Sequence, residues 1–247
     1  MNNQPMNNLP IDLQLLRHCA EAETALGRWC LNNHVRLQRC FWHWLVAGGE
    51  GVKRAFDVVS SLIFLVLMSP LYLLLALLVK LEDGGPVFFN QTRVGQFGRE
   101  FKMYKYRSMR VDAEALLPQL LARNQHKDGV TFKIKDDPRL TRVGKWLRKF
   151  SFDELPQVFN VFKGDMSLVG PRPPVPREVA RYSLADRRRL AVKPGITCFW
   201  QIGGRSEIDF SGQVKLDVQY IETQSFHVDI QILVKTLPAV MSGTGAY

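Results

Sequence analysis

"AFDVVSSLIFLVLMSPLYLLLALLV", residues 55–79, is the most apolar stretch of the chain, with Asp57 as its only charge. As one helix rising 1.5 Å per residue it would reach about 37 Å, enough to cross a hydrocarbon core of about 30 Å. Ser69-Pro70 stands near its middle, where proline removes a backbone donor and clashes with the preceding turn. Broken there, each arm is too short to span. Arg36, Arg39, Lys53 and Arg54 precede the stretch, and Lys80, Arg93, Arg99, Lys102, Lys105, Arg107 and Arg110 follow it. Positive charge on both sides puts both ends in the cytoplasm. A helix-break-helix that enters one leaflet and returns satisfies both signals, with the Ser69 hydroxyl available to a backbone group freed by Pro70. A proline-kinked spanning helix remains the alternative on these residues alone.

Upstream, residues 11–46 read as one or two amphipathic helices carrying Leu13, Leu16, Leu26, Trp29, Leu37, Phe41 and Trp44 among Arg and His, and "AGGEG" (47–51) reads as a break. The polar start "MNNQPMNN" is no secretory signal. Cys19, Cys30, Cys40 and Cys198 are therefore expected as reduced thiols in a cytoplasm-facing protein. His18, Cys30, His34, Cys40 and His43 crowd together but match no familiar zinc spacing. Downstream, "PVFFNQTRVG" and "REFKMYKYRSM" flank "QFG" as a hairpin. From about 112 to 122 and from 139 to 190 the pattern predicts short helices separated by Pro and Gly. Val143, Trp146, Leu147 and Phe150 fall on one helical face, with Arg142, Lys145 and Lys149 around the rest. Such a helix suits a headgroup region or the surface of a soluble core equally well.

The chain has 247 residues, enough for a real core, and a formal charge of +10 from 33 basic and 23 acidic side chains. That excess points to anionic partners: nucleic acid, phospholipid headgroups or phosphorylated substrates. Composition does not rank the three.

An isolated acid pair narrows the field. In "FSFDELPQ" (150–157), Asp153 and Glu154 follow a strongly basic run. Ser151 and Glu154 have the spacing of a capping box, and acids suit a first turn. The sharper reading is a reactive carboxylate beside a metal-binding one. Pro156 confines the pair to a helix start, where backbone N–H groups and Arg148 favour an anion. With an ordinary Asp pKa of about 3.9, Asp153 is ionised at neutral pH and needs no base to attack. Its difficulty is repulsion from an anionic phosphorus, which a divalent cation and guanidinium groups would relieve. Glu154 is the candidate metal ligand. Arg172 in "GPRP" and Arg205 in "QIGGR" sit on rigid or Gly-rich backbone suited to holding phosphate.

From about Lys53 to Tyr247 the chain resembles the bacterial sugar transferases, the monotopic phosphoglycosyl transferases that begin surface-polysaccharide and glycoconjugate assembly on a polyprenyl phosphate. The resemblance rests on "KRAFD", the mid-membrane "SP", "KMYKYRSM", "DDPRLTRVGKWLRKFSFDELPQ", "NVFKGDMSLVGPRP", "VKPGITCFWQIGGR" and "LDVQYI", in family order. It implies an α+β, mainly helical, monotopic membrane protein: a re-entrant helix broken at Ser69-Pro70, amphipathic interfacial helices and a small β-hairpin. The expected division is a helical extension of unknown role (1–52), the membrane helix (53–82) and a cytoplasmic catalytic domain (83–247). The resemblance implies that Asp153 displaces UMP from a UDP-sugar, forming a phosphosugar-aspartyl intermediate that polyprenyl phosphate, expected to be undecaprenyl phosphate, then attacks. Glu154 matches the Mg²⁺-binding partner, with Asp153 beside the same ion. Lys105, Arg148, Arg172 and Arg205 match basic positions that contact phosphate or fix the site. The expected location is the cytoplasmic face of the bacterial inner membrane, with a second copy and downstream glycosyltransferases as candidate protein partners. Phe152, Cys198 and the first glycine of "GGR" depart from the family's usual Leu, Gly and Ser.

Two rival classes are weighed against this. A membrane-anchored basic binder of nucleic acid or acidic protein, without catalysis, would use the charge and the aromatic "KMYKYRSMR", yet it leaves Asp153, Glu154 and the rigid Arg turns without a role. An ordinary glycosyltransferase would release UDP rather than UMP. The sugar itself is not legible in the sequence.

Overall fold

The computed structural model describes Trp29, Asn33 and residues 49–120, 137–203 and 208–242. The chain divides into two compact units, Met1–Lys53 and Arg54–Tyr247. Apart from Trp29, Asn33 and residues 49–52, the N-terminal extension, with its expected amphipathic helices and its His/Cys cluster, lies outside the described residues.

The apolar stretch forms two helices, α1 (Gly49–Leu67) and α2 (Ser69–Asp83), bent by 64°. Among the described residues no single helix is long and apolar enough to cross a membrane, although this bent pair is by length and composition. The bend follows from Pro70, which has no N–H to give to Val66 O four residues back. Ser69 Oγ donates to that same carbonyl at 2.9 Å, so the acceptor orphaned by proline is satisfied by its neighbour. The break expected at 47–51 does not extend over Gly49, Glu50 and Gly51, which already belong to α1, and positions 47 and 48 lie outside the described residues. An acidic residue suits the first turn of a helix, which offsets the weak propensity of the two glycines.

The hairpin pairs β1 (Phe88–Val94) with β2 (Glu100–Tyr106) in antiparallel register, and Gln96–Gly98 forms the turn. Three short helices follow: α3 (Ala113–Leu120), α4 (Arg142–Lys149) and α5 (Gln157–Lys163). A parallel pair then joins β3 (Ser167–Val169) to β4 (Gly195–Thr197), with α6 (Pro176–Val179) between them. This second sheet was not anticipated from sequence, since three-residue strands leave no periodicity to read. The chain closes with α7 (Phe199–Gly203), α8 (Phe210–Thr223) and α9 (Phe226–Ser242). The described protein is mainly helical with small sheets.

Two docking surfaces organise the larger unit. Tyr72, Leu75 and Val79 of α2 pack with Tyr106 of β2 and Leu147 of α4 in one buried cluster. The base of α1 uses polar contacts instead. Arg54 donates to Val161 O at 2.6 Å and Phe162 O at 2.8 Å, capping the end of α5, while buried Asp57 accepts from Leu168 N on β3 at 3.1 Å. The lone charge of the apolar stretch is thus a structural acceptor. Outward, Val59, Leu62, Ile63, Val66, Leu67, Leu73, Leu74 and Leu77 remain exposed.

Candidate active site

Ser151 does not cap the acid pair. Its backbone takes the left-handed conformation at φ 57°, it makes no side-chain cap bond, and Phe152–Glu154 form a single 3₁₀ turn ahead of α5. The capping-box expectation is therefore corrected. The Glu154 carboxylate turns away from its own backbone because stronger partners wait across the turn. Lys105 Nζ donates to Glu154 Oε1 at 2.7 Å, and Arg172 donates to the same oxygen through both terminal nitrogens at 3.2 Å. Charge-assisted bonds of this kind outweigh a neutral cap.

The hairpin explains how these groups meet. Its register opposes Lys105 to Phe89 and Arg93 to Phe101, and the alternating pleat then puts Arg93, Gln91 and Lys105 on one face. Asn160 of α5 holds that strand in place: its Nδ2 donates to Lys102 O at 2.8 Å and its Oδ1 accepts from Tyr104 N at 2.9 Å. A buried side-chain amide thereby stands in for a neighbouring strand and fixes the distance between Lys105 and the Asp153–Glu154 turn. On the other strand, Arg93 donates to Pro173 O at 2.8 Å and Val94 N to Pro174 O at 2.9 Å, so β1 grips the backbone that carries Arg172. Burial and the adjacent Arg172 charge draw the Arg93 guanidinium down to about 10. Sequence reading treated Arg93 only as a flanking charge; the hairpin register is the signal that places it here.

Arg148 arrives from α4. Thr141 Oγ1 caps that helix through Gly144 N at 2.9 Å, and Arg148 Nε donates to Ser108 Oγ at 3.0 Å. Gly144 is required, because a Cβ there would lie 1.9 Å from Ser108 O. Tyr72 supplies a further support. Its hydroxyl donates to Leu155 O at 2.7 Å, and Tyr106 in turn donates to Tyr72 O at 2.9 Å. The bent helix is thereby tied to the residue that follows Glu154.

Two neighbouring carboxyls consequently experience opposite fields. Burial pushes Asp153 up from the usual carboxylate range, against the pull of Lys105, and Glu154 adds repulsion. Burial acts on Glu154 in the same sense, but Lys105 and Arg172 overcome it and hold its carboxyl well below that range. Asp153 is 7% exposed and accepts no side-chain hydrogen bond among the described residues. Among the described residues its oxygens are uncommitted, whereas Glu154 is anchored.

The described residues contain no group of three or more His, Cys, Asp or Glu able to cage a metal. Mg²⁺ needs no such cage, since it keeps several waters and takes one or two carboxylates together with substrate phosphates. Asp153 and the second oxygen of Glu154, which has no hydrogen bond among the described residues, fit that requirement.

Of the residues singled out by sequence, Lys105, Arg148, Asp153, Glu154 and Arg172 converge on this turn through the bonds and charges above. Arg205 lies outside the described residues. Phe152 packs on Trp146 at 5.2 Å, and Cys198 is buried with its Sγ donating to Gln201 Oε1 at 3.2 Å. Both departures from the family pattern therefore have local packing roles.

Residues 49–243 match the model of a family described as bacterial sugar transferase. The "Galactosyl transferase CpsE" of Streptococcus agalactiae serotype III is 51% identical over 195 residues, covering 78% of this chain and 43% of that protein. The "Undecaprenyl-phosphate galactose phosphotransferase" of Salmonella typhimurium is 45% identical, covering 79% and 42%. The "Exopolysaccharide production protein ExoY" of Rhizobium meliloti is 42% identical over 202 residues, covering 81% and 89%. The match thus spans about two fifths of the first two relatives and most of the third. With the family model covering most of its length, the chain belongs to the bacterial sugar transferase family.

Proposed function

We propose that the protein transfers a sugar-1-phosphate from a UDP-sugar to a polyprenyl phosphate, by the chemistry that relatives named undecaprenyl-phosphate galactose and glucose phosphotransferase suggest. One observation carries the reading: Asp153 is buried and, among the described residues, uncommitted, beside a Glu154 clamped by Lys105 and Arg172. A nucleophile needs free lone pairs, and an anchoring carboxylate needs the reverse.

In the first step an Asp153 oxygen attacks the phosphorus that bears the sugar. The new Oδ–P bond forms as the bond to the bridging oxygen breaks, and UMP leaves with that oxygen. In the second step an oxygen of the lipid phosphate attacks the same phosphorus, the aspartyl bond breaks, and a lipid-linked sugar diphosphate is released with Asp153 restored. Lys105, Arg148 and Arg172 steady the phosphoryl oxygens as charge moves through them. Mg²⁺, held by Asp153 and Glu154, would neutralise diphosphate charge when bound. Desolvation raises the Asp153 carboxyl, while the charges of Lys105, Arg148 and Arg172 pull it back towards the attacking anion.

The exposed leucines of α1 and α2 complete the picture. A re-entrant bent helix in one leaflet of the inner membrane, seen from the cytoplasmic face, gives them an apolar medium and brings the lipid phosphate to the site. The product would open exopolysaccharide or surface-glycoconjugate synthesis. A non-catalytic basic binder has no use for the division of labour between the two carboxyls.

UDP-sugar with Mg²⁺ and no lipid should release up to one equivalent of UMP and leave a sugar-phosphate on the peptide containing Asp153. Asp153→Asn should lower turnover at least about 10³-fold with the fold intact. UMP release that waits for the lipid, together with turnover by the Asn variant, would overturn the covalent route.

A further inference from the structure

Between α2 and α4 lies a cleft of about 340 Å³, lined by Leu78, Arg142, Val143 and Trp146. That volume is within the range of ligand pockets. The floor is firm, because the adjoining Val79 and Leu147 are sealed in the core at 2% and 0% exposure. The walls are not covered, with Leu78 and Trp146 at 36% and 43%. Leu74, Leu78 and Leu81 follow one another on a single face of α2 at i, i+4 and i+7, so the cleft continues into an exposed apolar stripe.

Its Trp146 end meets an aromatic cluster. The Trp146 ring lies 5.2 Å from Phe152 and 5.6 Å from Phe150, and Phe150 and Phe152 stack at 5.8 Å. Phe152 is the residue before Asp153. The helix between has four cations, Arg142, Lys145, Arg148 and Lys149, and no acid, and Lys149 Nζ sits 5.6 Å over the Phe150 ring. An apolar trough thus passes, edged with positive charge, into an aromatic ladder whose Phe152 immediately precedes Asp153 in the chain.

We propose that this cleft seats the isoprenoid chain of the lipid acceptor, its first units against Leu78, Val143 and Trp146, so that the phosphate reaches Asp153 along the Phe150 and Phe152 rings. The assignment rests on the lipid-phosphate reading above. A chain with its charged, reacting group at one end matches a trough whose charge and reacting group are also at one end. A resident phospholipid could fill the apolar part but has no reason to reach the turn.

The two half-reactions separate seat from site. Trp146→Ala should raise the KM for polyprenyl phosphate about tenfold while the lipid-independent UMP burst keeps its rate and amplitude. An unchanged KM overturns the seat, and so does a slowed burst, which would assign Trp146 to support of the catalytic turn. A measurement independent of turnover uses a polyprenyl phosphate with a diazirine in its first isoprene units, photolysed on the otherwise unaltered Asp153→Asn protein in nanodiscs. Adducts should fall on Leu78, Val143 or Trp146 and be suppressed by unlabelled polyprenyl phosphate but not by excess phospholipid. Adducts elsewhere, or equal suppression by phospholipid, refute the assignment. A wild-type protein with no UMP burst would sink the covalent mechanism instead, and the adduct map would still decide the seat.

Discussion

The bent pair α1–α2 and the turn at Asp153–Glu154 break the ordinary rules of a soluble surface in opposite senses. Along the helices, large apolar side chains face outward, from Val59 to Leu81, while Asp57 is turned inward on a backbone N–H. At the turn, two carboxyls, a lysine and an arginine are packed together, with Asp153 at 7% exposure. Water penalises the first arrangement and burial penalises the second. On the function proposed above, each finds a partner of the matching kind, a hydrocarbon phase for the helices and a phosphate with its counter-cation for the turn. The two regions are also physically joined, because Tyr72 belongs to the helix and donates to Leu155 beside the acids.

Glu154 offers the hardest blow to the polar half. Glu154→Gln keeps the size and gives up the charge that holds Lys105 and Arg172, so steady-state turnover should fall about 10²-fold or more while circular dichroism stays native. Excess EDTA should abolish activity and added Mg²⁺ should restore it. Full turnover in EDTA would remove the metal from the scheme.

The apolar half can be broken at its bend. Replacing Ser69-Pro70 by Ala-Leu restores the missing N–H donor and should straighten the pair towards a spanning helix. Cysteines placed at positions 53 and 80 should both be shielded from an impermeant reagent outside the cell in the parent protein, and one should become labelled in the variant. Labelling of a single flank in the parent would contradict re-entry.

The link between the halves should show a smaller effect. Tyr72→Phe leaves the rings packed on Phe159 and Tyr106 and removes one hydrogen bond, worth about 1 kcal/mol. A kcat reduced two- to tenfold with KM for UDP-sugar unchanged is expected, together with faster amide exchange confined to residues 151–158. Global destabilisation with no local change would make Tyr72 mere packing.

The smallest effect is on stability and has opposite signs at adjacent positions. Asp153 has a raised carboxyl in the folded state, so its ionisation costs stability as pH climbs past the ordinary carboxylate value of about 3.9. In chelator at pH 7, Asp153→Asn should therefore raise Tm, and the gain should fade on acidification towards that value. Glu154 has a lowered one, so it contributes stability above about 4.3 that is lost as pH falls. Glu154→Gln should lower Tm at pH 7, and that deficit should shrink in acid. Thermal melts of both variants across pH 2–8 give the comparison directly, the Asp153 change falling above about 3.9 and the Glu154 change below about 4.3.

Much of the helix pair and hairpin was legible because each leaves a local trace. Proline has no amide hydrogen wherever it stands, so Pro70 marked the bend, and "QFG" between alternating residues marked the turn. Asp153 and Glu154 stood out as an acid pair in a basic region. Their partners did not announce themselves equally. Lys105 and Arg172 are 49 and 18 residues from Glu154, and nothing local says that both reach one oxygen. Arg93 and Tyr72 act through carbonyl groups of Pro173 and Leu155, and a backbone acceptor has no letter in the sequence.

The sequence by itself determined where the chain breaks, which stretch is apolar and which acids stand together, since these follow from side-chain chemistry and near-neighbour sterics. Only the tertiary structure decided that Ser151 would be no cap, that Glu154 would be clamped while Asp153 stayed uncommitted among the described residues, and that Asp57 would be an internal acceptor. Those outcomes depend on desolvation and on charges brought together across long loops. Both act through distance in space, which the order of residues along a chain does not contain.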